Sequence, residues 1–362
     1  MTLPSISLLR NVLRNPDFIA SLTLADWDLL IRQGRSADLL GRIAAACDTG
    51  SGFANIPVQP RLHIESASNL AKRQLRELEW EVEQIRAALN LSDFSLVLLK
   101  GAAYALSGIA AAKGRLVSDV DILVRREDLA GVESALMRRG WVSAAKSEYN
   151  QRYYRTWMHE IPPMKHFQRG TVIDVHHAIL PLTARSHPNP EKLLAAAQPL
   201  ARDARIKVLA PIDMLLHSAT HLFHEGDLEQ GLRGLVDIDS LLAEFGCQEQ
   251  FWVALVPRAV DLELSRPLFY ALRYASIMLG TAVPVSVSRA LADAPGGRHS
   301  GFMLLLMDSL FLRALRPPHA SAADRFTPVA RWLLYVRGHW LRMPPWLLIR
   351  HLARKLLVPV QK

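Results

Sequence analysis

Two aspartates stand two residues apart in an apolar, β-branched stretch of the chain. They are Asp119 and Asp121, within residues 115–124. Because side chains alternate between the two faces of a strand, both carboxylates would lie on one face, about 7 Å apart along it. Carboxylates this close need a counter-charge to remain ionised together, and a divalent cation with oxygen ligands, Mg²⁺ or Mn²⁺, would supply it. The alternative is a pair of exposed acids on an edge strand or in a turn.

A third aspartate lies in a second β-branched stretch. Residues 165–177 predict two short strands joined at Arg169–Gly170, and in the second strand Asp174 and His176 share a face. A lone aspartate in a strand would mean little. As the third of a set, Asp174 favours the interpretation as a metal site.

A lysine and a glycine separate a predicted strand from a predicted helix. Residues 94–101 indicate a buried strand that ends in a turn at Lys100–Gly101, and the alanine-rich residues 102–112 indicate a helix. The first amides of a helix have no partners within it, and the lysine adds a full positive charge. This combination is typical of a phosphate site, although a turn of the same composition often binds nothing.

Three histidines share one face of a further predicted helix. His217, His221 and His224 are spaced by four and three residues, and neutral imidazoles in that arrangement could form a zinc site. No glutamate stands between His217 and His221 as it does in zinc proteases. We therefore favour a helix that lines a polar cleft or packs with hydrogen-bonded histidines.

An aspartate in the next predicted helix, residues 231–242, has two interpretations. Asp237 lies among apolar residues that would face a core. Its carboxylate would either face a cleft, or cap the helix or pair with an arginine such as Arg233.

The composition is that of a globular protein with anionic partners. The 362 residues suggest two or three domains, and half of them are hydrophobic while 21% are charged. The net charge of +9 favours nucleotides, nucleic acid or an acidic membrane surface as partners. Two distant cysteines argue against a disulfide framework and for a cytoplasmic location. Neither a secretory signal nor a membrane span is expected.

The elements that must position these residues are mostly helical. Residues 1–60 indicate short helices, about 65–89 indicate a long packing helix, and the pattern from Pro188 onward indicates helices to the end of the chain. From Arg313 onward many basic residues accompany a single acid, Asp324.

Taken in order, these motifs resemble the uncharacterised nucleotidyltransferase family within the polymerase-β-like nucleotidyltransferase superfamily. In that family a strand ends in Leu-Lys-Gly, an arginine precedes Asp-hydrophobic-Asp, a later strand reads hydrophobic-Asp-hydrophobic-His, and a helical segment carries histidines and then an Asp-hydrophobic pair. The resemblance covers about residues 65–245. Its motifs match Leu99–Lys100–Gly101, Arg115, Asp119–Val120–Asp121, Ile173–Asp174–Val175–His176, His217 with His221, and Asp237–Ile238. In the wider superfamily a Gly-Ser pair stands where this chain has Lys100–Gly101, so no serine hydroxyl is present there to hold a phosphate.

The resemblance implies an α+β fold with a small mixed sheet. We expect a helical N-terminal segment at 1–90, a nucleotidyltransferase core at 91–185 and a helical C-terminal domain at 186–362. A cleft between the core and the C-terminal helices would admit nucleotide and acceptor.

The resemblance also implies an activity, the transfer of a nucleoside monophosphate from a nucleoside triphosphate to a hydroxyl-bearing acceptor. Two metal ions about 3.5–4 Å apart can neutralise the attacking and leaving oxygens of such a displacement. The acceptor would be a small molecule, a glycan, a lipid-linked molecule or a protein.

Each motif residue has an implied role in that reaction. Asp119, Asp121 and Asp174 would hold Mg²⁺ or Mn²⁺, and Asp174 would also help to deprotonate the acceptor. The phosphates would be held by Lys100, by amides near Gly101 and by Arg115, for which a solvated loop arginine is the alternative. His176 would orient Asp174, or else be a structural strand histidine. His217, His221 and Asp237 are candidates for the cleft.

Two other functions remain open on the sequence. The first is a nucleotide-binding regulatory protein without turnover. The second is a peripheral membrane protein on the inner face of the membrane, attached by the basic residues 325–362, whose tryptophans and leucines interleave with arginines. A nucleic-acid partner has no strong signal.

Overall fold

The computed structural model describes residues 7–49, 53, 56–89, 94, 96–145, 147–224, 226, 228–297 and 300–344. The strands within this part of the chain are β1 (Leu96–Leu98), β2 (Asp119–Leu123), β3 (Trp141–Ser143), β4 (Met164–His166), β5 (Val172–His176), β6 (Gln198–Leu200) and β7 (Asp203–Val208). The helices there are α1 (Ser7–Arg14), α2 (Leu24–Ser36), α3 (Leu40–Thr49), α4 (Val58–Leu89), α5 (Lys100–Ser107), α6 (Leu129–Arg138), α7 (Glu148–Trp157), α8 (Pro190–Ala196), α9 (Pro211–His224), α10 (Gly231–Phe245), α11 (Glu249–Asp261), α12 (Ser265–Tyr274), α13 (Val285–Asp293), α14 (Gly301–Ala314) and α15 (Thr327–Arg342).

The strands form one mixed sheet in the order β3-β4-β5-β2-β1-β7-β6. The pairs β2–β5 and β1–β7 are parallel, and the other neighbours are antiparallel. Together with the many helices, this sheet confirms the predicted α+β fold. Strand β2 lies in its interior, so both of its edges are hydrogen-bonded and its direction is fixed by two neighbours.

The prediction that only helices follow Pro188 is wrong at residues 198–208. There β6 and β7 form a hairpin, and β7 pairs with β1 at Val97↔Lys207. The sheet therefore extends past residue 185, where the core was predicted to end. In β7 the buried Ile206 and Val208 alternate with polar residues over six positions. Such a short alternation is a weak signal, and the strand forms because β1 offers it an unpaired edge. The three-domain division stays a prediction.

The long predicted helix is α4, and a buried ion pair joins it to the sheet. Glu81 accepts hydrogen bonds from both Arg169 (2.9 Å) and Thr171 (2.8 Å), at the turn between β4 and β5. Arg169 also stacks its guanidinium 4.8 Å from the centre of the Trp141 ring on β3. These contacts fix the hairpin that ends in β5, and so they fix where Asp174 and His176 lie.

The C-terminal helices pack around an aromatic core. Phe223 on α9 contacts Tyr270 and Tyr274 on α12 and Phe311 on α14, with ring centres 5.2–5.9 Å apart. Helix α9 also contacts α5, the helix that begins at Lys100, and it therefore joins this core to the predicted site. No helix among the described residues is both long enough and apolar enough to cross a membrane. Of the basic region 325–362, residues 345–362 lie outside the described part.

Candidate active site

The parallel pairing of β2 with β5 brings the predicted carboxylates together. Asp121 is the direct partner of Asp174 in the register, and Asp119 lies two residues earlier on β2. Neighbouring strands are about 4.8 Å apart, so the carboxylates of Asp121 and Asp174 are neighbours on one face. Val120 and Ile122, on either side of Asp121 in β2, are buried on the other face of the sheet, as the alternation predicts.

Asp121 is a buried carboxylate with two basic partners. Its Oδ1 lies 3.0 Å from Nζ of Lys100 and 3.0 Å from Nε2 of His176. Burial alone would raise the pKa of Asp121, but the Lys100 charge and the His176 hydrogen bond outweigh it and hold this pKa well below its usual range. The protein itself therefore supplies part of the counter-charge that the sequence requires at this position.

Asp174 has the opposite environment. Its Oδ1 is buried, and no described atom donates a hydrogen bond to it. Burial, together with the negative charges of Asp121 and Glu160, raises the pKa of Asp174 to about 7. A buried oxygen without a donor is costly unless a cation or a proton satisfies it. Oδ1 of Asp174, with Asp121 beside it, is therefore a candidate ligand for a hard divalent cation, which takes oxygen ligands. The ligand atoms of Asp119, Asp121 and Asp174 do not all come within 4.8 Å of one another in this structure, so the metal set of three aspartates stays a prediction.

Lys100 is held in an unusual backbone conformation at the start of α5. Its φ is +46°, in the left-handed region that residues with a side chain rarely adopt. This conformation turns the chain sharply from β1 into the helix and lets the ammonium reach Asp121. Backbone strain at a candidate site supports a functional role, because it persists only where the surroundings impose it.

Gly101 is required by the close approach of Arg115. A Cβ at position 101 would stand 2.2 Å from Nη1 of Arg115 and 2.9 Å from Cγ2 of Val117. The Arg115 guanidinium therefore lies against the turn, and its side chain is only 11% exposed.

Asp237 pairs with two arginines. Its Oδ2 accepts from Nε of Arg115 at 2.9 Å, and its Oδ1 accepts from Arg42 on α3. The sequence suggests that Asp237 faces a cleft, caps its helix or pairs with an arginine such as Arg233. It pairs with arginines, but Arg233 itself pairs with Asp38. The buried carboxylate joins α3, the loop before β2 and α10, and it holds Arg115 under the Lys100–Gly101 turn.

A family model described as "uncharacterised nucleotidyltransferase" matches residues 23–280. The chain belongs to this family. Membership confirms the resemblance seen in the motifs, and the match includes every predicted site residue. The protein is thus assigned to the nucleotidyltransferases, enzymes whose substrate is a nucleoside triphosphate. No curated protein and no solved structure matches the chain.

Two of the three histidines of α9, His217 and His221, lie near Lys100 and Asp121 of this nucleotidyltransferase. Burial lowers the pKa of His217 to about 3, and the nearby positive charge of Lys100 lowers it further. Burial and Lys100 also lower the pKa of His221, whereas Arg337 and Arg266 are the cations near His224. His217 and His221 are therefore neutral and near Lys100, and their place in a cleft stays a prediction.

Two residues that the sequence did not single out lie next to His176. Oε2 of Glu160 is 3.5 Å from Nε2 of His176, and the rings of His159 and His176 are 5.1 Å apart. Burial raises the pKa of Glu160 although His176 and Lys100 act against it. Residues 159–160 belong to no regular element and reach β5 through an isolated bridge. No periodic pattern could have predicted that contact.

Proposed function

We propose that the protein transfers a nucleoside monophosphate from a nucleoside triphosphate to a hydroxyl-bearing acceptor, with Mg²⁺ or Mn²⁺ as the cofactor. The observation that carries this proposal is the register of β2 and β5. It sets a buried carboxylate oxygen without a donor, on Asp174, beside Asp121 and the Lys100 turn. Family membership supports nucleotidyl transfer in general, and the residue roles below are part of the proposal.

Asp119, Asp121 and Asp174 would hold the cation. When bound, the cation neutralises charge on the phosphate oxygens and aligns the triphosphate for in-line displacement. In the reaction the acceptor oxygen bonds to the α-phosphorus, the bond from that phosphorus to the bridging oxygen breaks, and pyrophosphate leaves.

Asp174 is the residue that takes the acceptor proton. Without a cation, burial and the neighbouring carboxylates raise the pKa of Asp174 to about 7. A bound cation would lower this pKa and keep the carboxylate ionised, so that it can accept the proton. Asp121, whose pKa is held low, stays ionised and serves as a ligand. His176 donates to Asp121, so in this proposal it orients Asp121 rather than Asp174.

Lys100 and the amides that follow it hold the β and γ phosphates. The ammonium moves from Asp121 to the phosphates on its flexible four-carbon stem. Arg115 packs against the Lys100–Gly101 turn. Asp237 holds the Arg115 guanidinium in place, and Gly101 contacts that guanidinium. His217 and His221 line the same cleft from α9.

Transfer of label from each of the four α-³²P nucleoside triphosphates would test the proposal. Pyrophosphate release is followed in parallel, with Mg²⁺ or Mn²⁺, and fractionated cell extract supplies the acceptors. Label transfer and pyrophosphate release that both require metal and Asp174 support the proposal. Tight triphosphate binding without pyrophosphate release, across all fractions, would instead establish the nucleotide-binding regulatory alternative.

A second candidate property is attachment to an anionic membrane surface from the cytoplasm. The packed helices α14 and α15 expose large apolar side chains, and two arginines of α15 turn inward: Arg331 binds the carbonyl of Arg316, and Arg337 binds that of Phe223. The exposed residues include Phe302 (78%), Leu305 (70%), Val329 (52%), Trp332 (62%) and Trp340 (46%). Exposed aromatic residues of this kind suit a lipid interface.

Co-sedimentation with vesicles would test this attachment. The full chain, a variant lacking residues 325–362 and the Trp332→Ser, Trp340→Ser double variant are compared on vesicles with and without phosphatidylserine. Binding by the full chain alone supports attachment, and equal sedimentation of all three proteins contradicts it.

A further inference from the structure

A cluster of metal-binding side chains adjoins the three aspartates but contains none of them. His159, Glu160 and His176 each offer one ligand atom, and these atoms all lie within 4.8 Å of one another. Within the described part of the chain, no other group of three or more His, Cys, Asp or Glu side chains comes within this distance. The donors are two imidazole nitrogens and one carboxylate oxygen, a different chemistry from the oxygen-only set of the aspartates.

The backbone holds two of these ligands rigidly against the third. The carbonyl of His159 accepts from the amides of His177 (2.8 Å) and Ala178 (3.3 Å), and the amide of Ile161 donates to the carbonyl of Val175 (3.0 Å). Residues 159–161 are thereby fixed along the end of β5, where His176 stands. Ligands carried on hydrogen-bonded backbone lose little freedom when a metal binds.

Both imidazoles carry a buried nitrogen without a partner. Nδ1 of His159 and Nδ1 of His176 receive no hydrogen bond from any described atom and donate none. His159 is 8% exposed and His176 is 3% exposed, so water does not readily reach these nitrogens to form a hydrogen bond. Leaving such an atom unsatisfied is costly, and a metal ion that accepts its lone pair would remove that cost.

His176 is prepared as a ligand by its other nitrogen. Its Nε2 lies 3.0 Å from Oδ1 of Asp121, so the proton sits on Nε2 when it donates to this carboxylate. In the neutral imidazole Nδ1 then carries the lone pair. Burial lowers the pKa of His176, but Asp121 and Glu160 outweigh it and raise this pKa, so a metal ion that binds at Nδ1 displaces a proton from it. A carboxylate that orients a histidine in this way is the usual second neighbour of a metal-bound imidazole.

The carboxylate of the cluster, on Glu160, has a histidine as its ion-pair partner. Among the described residues, His176 is the basic side chain within ion-pair distance of Glu160. The Glu160 side chain is only 16% exposed, so water screens its charge poorly. A bound cation would supply the missing positive charge.

We propose that His159, Glu160 and His176 form a binding site for one divalent transition-metal ion, with Zn²⁺ as the favoured occupant, separate from the Mg²⁺ site of the aspartates. Two imidazoles and a carboxylate are ligands that Zn²⁺ and its neighbours take readily, whereas Mg²⁺ prefers oxygen. In a tetrahedral site with bonds of about 2.1 Å, ligand atoms stand about 3.4 Å apart. The ligand atoms of the cluster already lie within 4.8 Å of one another. Three protein ligands leave a fourth position for water or a substrate oxygen.

Zinc affinity of the full chain would test the proposal. Protein stripped with EDTA is titrated with Zn²⁺ against a fluorescent chelator, in millimolar Mg²⁺ that saturates oxygen-only sites. We expect one tight equivalent in the wild type and an affinity at least about 100-fold weaker in His159→Ala and in the isosteric Glu160→Gln. Co²⁺ bound in place of Zn²⁺ should give a visible absorption spectrum that both variants lose.

Two further variants serve as controls. His224 is also a buried histidine, and its Nδ1 has no partner among the described residues. It lies outside the cluster, so His224→Ala should bind Zn²⁺ as the wild type does. Asp119→Asn should do the same if the two sites are separate. Far-ultraviolet circular dichroism establishes that each variant is folded, and Glu160→Gln keeps the test available if His159→Ala does not fold.

The proposal is overturned if wild type and Glu160→Gln bind Zn²⁺ equally, or if millimolar Mg²⁺ removes the Zn²⁺ from the wild type. Neither result bears on nucleotidyl transfer, which is measured in Mg²⁺ alone with EDTA-stripped protein. Loss of transfer with retained zinc binding, or the reverse, therefore separates this proposal from the proposed function.

Discussion

Asp121 and Asp174 are direct partners on the parallel strands β2 and β5, yet their carboxylates have opposite environments. Oδ1 of Asp121 lies 3.0 Å from both Lys100 and His176, whereas Oδ1 of Asp174 is buried and has no donor in the described part of the chain. The pKa of Asp121 is accordingly held low, and burial and neighbouring carboxylates raise that of Asp174 to about 7. This difference supports the proposed roles of Asp121 as a fixed anion and of Asp174 as the proton acceptor.

Replacing Asp174 with asparagine should separate activity from stability. Asp174→Asn removes both a cation ligand and the proposed base, so we expect transfer to fall by about 10³-fold or more. The melting temperature should stay the same or rise, because the variant relieves repulsion between buried carboxylates. Asp119→Asn should also abolish transfer. Asp28→Asn on the exposed face of α2 is the control, and equal loss of transfer in it and in Asp174→Asn would contradict the assignment.

Two substitutions of Lys100 should differ in stability but not in activity. Lys100→Ala and Lys100→Gly both remove the ammonium, and each should raise the KM for the triphosphate about tenfold or more. Because φ at this position is +46°, the glycine variant should unfold with a free energy about 1 kcal/mol higher than the alanine variant. Urea denaturation of the two variants measures this difference. An alanine variant as stable as the glycine variant would show that the turn is unstrained.

Removing the charge of Asp237 should destabilise the fold. Asp237→Asn leaves Arg42 and Arg115 buried without their shared carboxylate, which costs about 3–5 kcal/mol of unfolding free energy. Asp239 lies two residues later on α10, and its side chain, 21% exposed, pairs with the more exposed Arg14. Asp239→Asn should therefore cost about 1 kcal/mol or less. Similar unfolding free energies for the two variants would rule out the proposed role of Asp237.

Much of the local structure around the aspartates could be predicted from short-range patterns. The alternation of Val120 and Ile122 with the two acids of β2 predicts the buried face, and the glycine at 170 predicts the turn before β5. These features depend on neighbours in sequence. The ordered set of motifs predicts the family, and the family match over residues 23–280 confirms it.

Contacts between distant segments could not be predicted in the same way. Arg42 reaches Asp237 across 195 positions, and nothing near either residue marks the other as its partner. Glu160 meets His176 at an isolated bridge outside any regular strand, so no periodicity precedes it. Strand β7 was missed because its pairing partner β1 lies far away in the sequence, and its own six residues carry little signal.

Replacing Gly101 with alanine should destabilise the fold, because a Cβ at this position would clash with its neighbours. In Gly101→Ala the new Cβ meets Arg115, which cannot move without leaving Asp237. We expect a loss of about 1–3 kcal/mol in unfolding free energy and a higher KM for the triphosphate. Gly301→Ala is the matched control, since a Cβ there meets nothing within 4 Å. If both alanine variants melt at the wild-type temperature, Arg115 does not lie against the turn as described.

Acid should destabilise the protein through His224. Burial lowers the pKa of His224 to about 3, and the positive charges of Arg337, Arg266 and Arg342 also disfavour a protonated His224. In the unfolded chain the same imidazole titrates near 6.5, so its contribution to stability is complete above that pH and is lost as the pH falls from 6.5 toward 3. By this linkage the loss at pH 5 is about 2 kcal/mol.

Urea denaturation at pH 7.5 and pH 5.0 measures that contribution. His224→Gln cannot take up the proton, so the decrease in its unfolding free energy between the two pH values should be smaller than that of the wild type by about 2 kcal/mol. The comparison at pH 7.5 gives the packing cost of the substitution by itself, because His224 is neutral there in both folded and unfolded chains. An equal decrease in the two proteins would mean that His224 is protonated in the folded state, and that the aromatic core beside it admits charge.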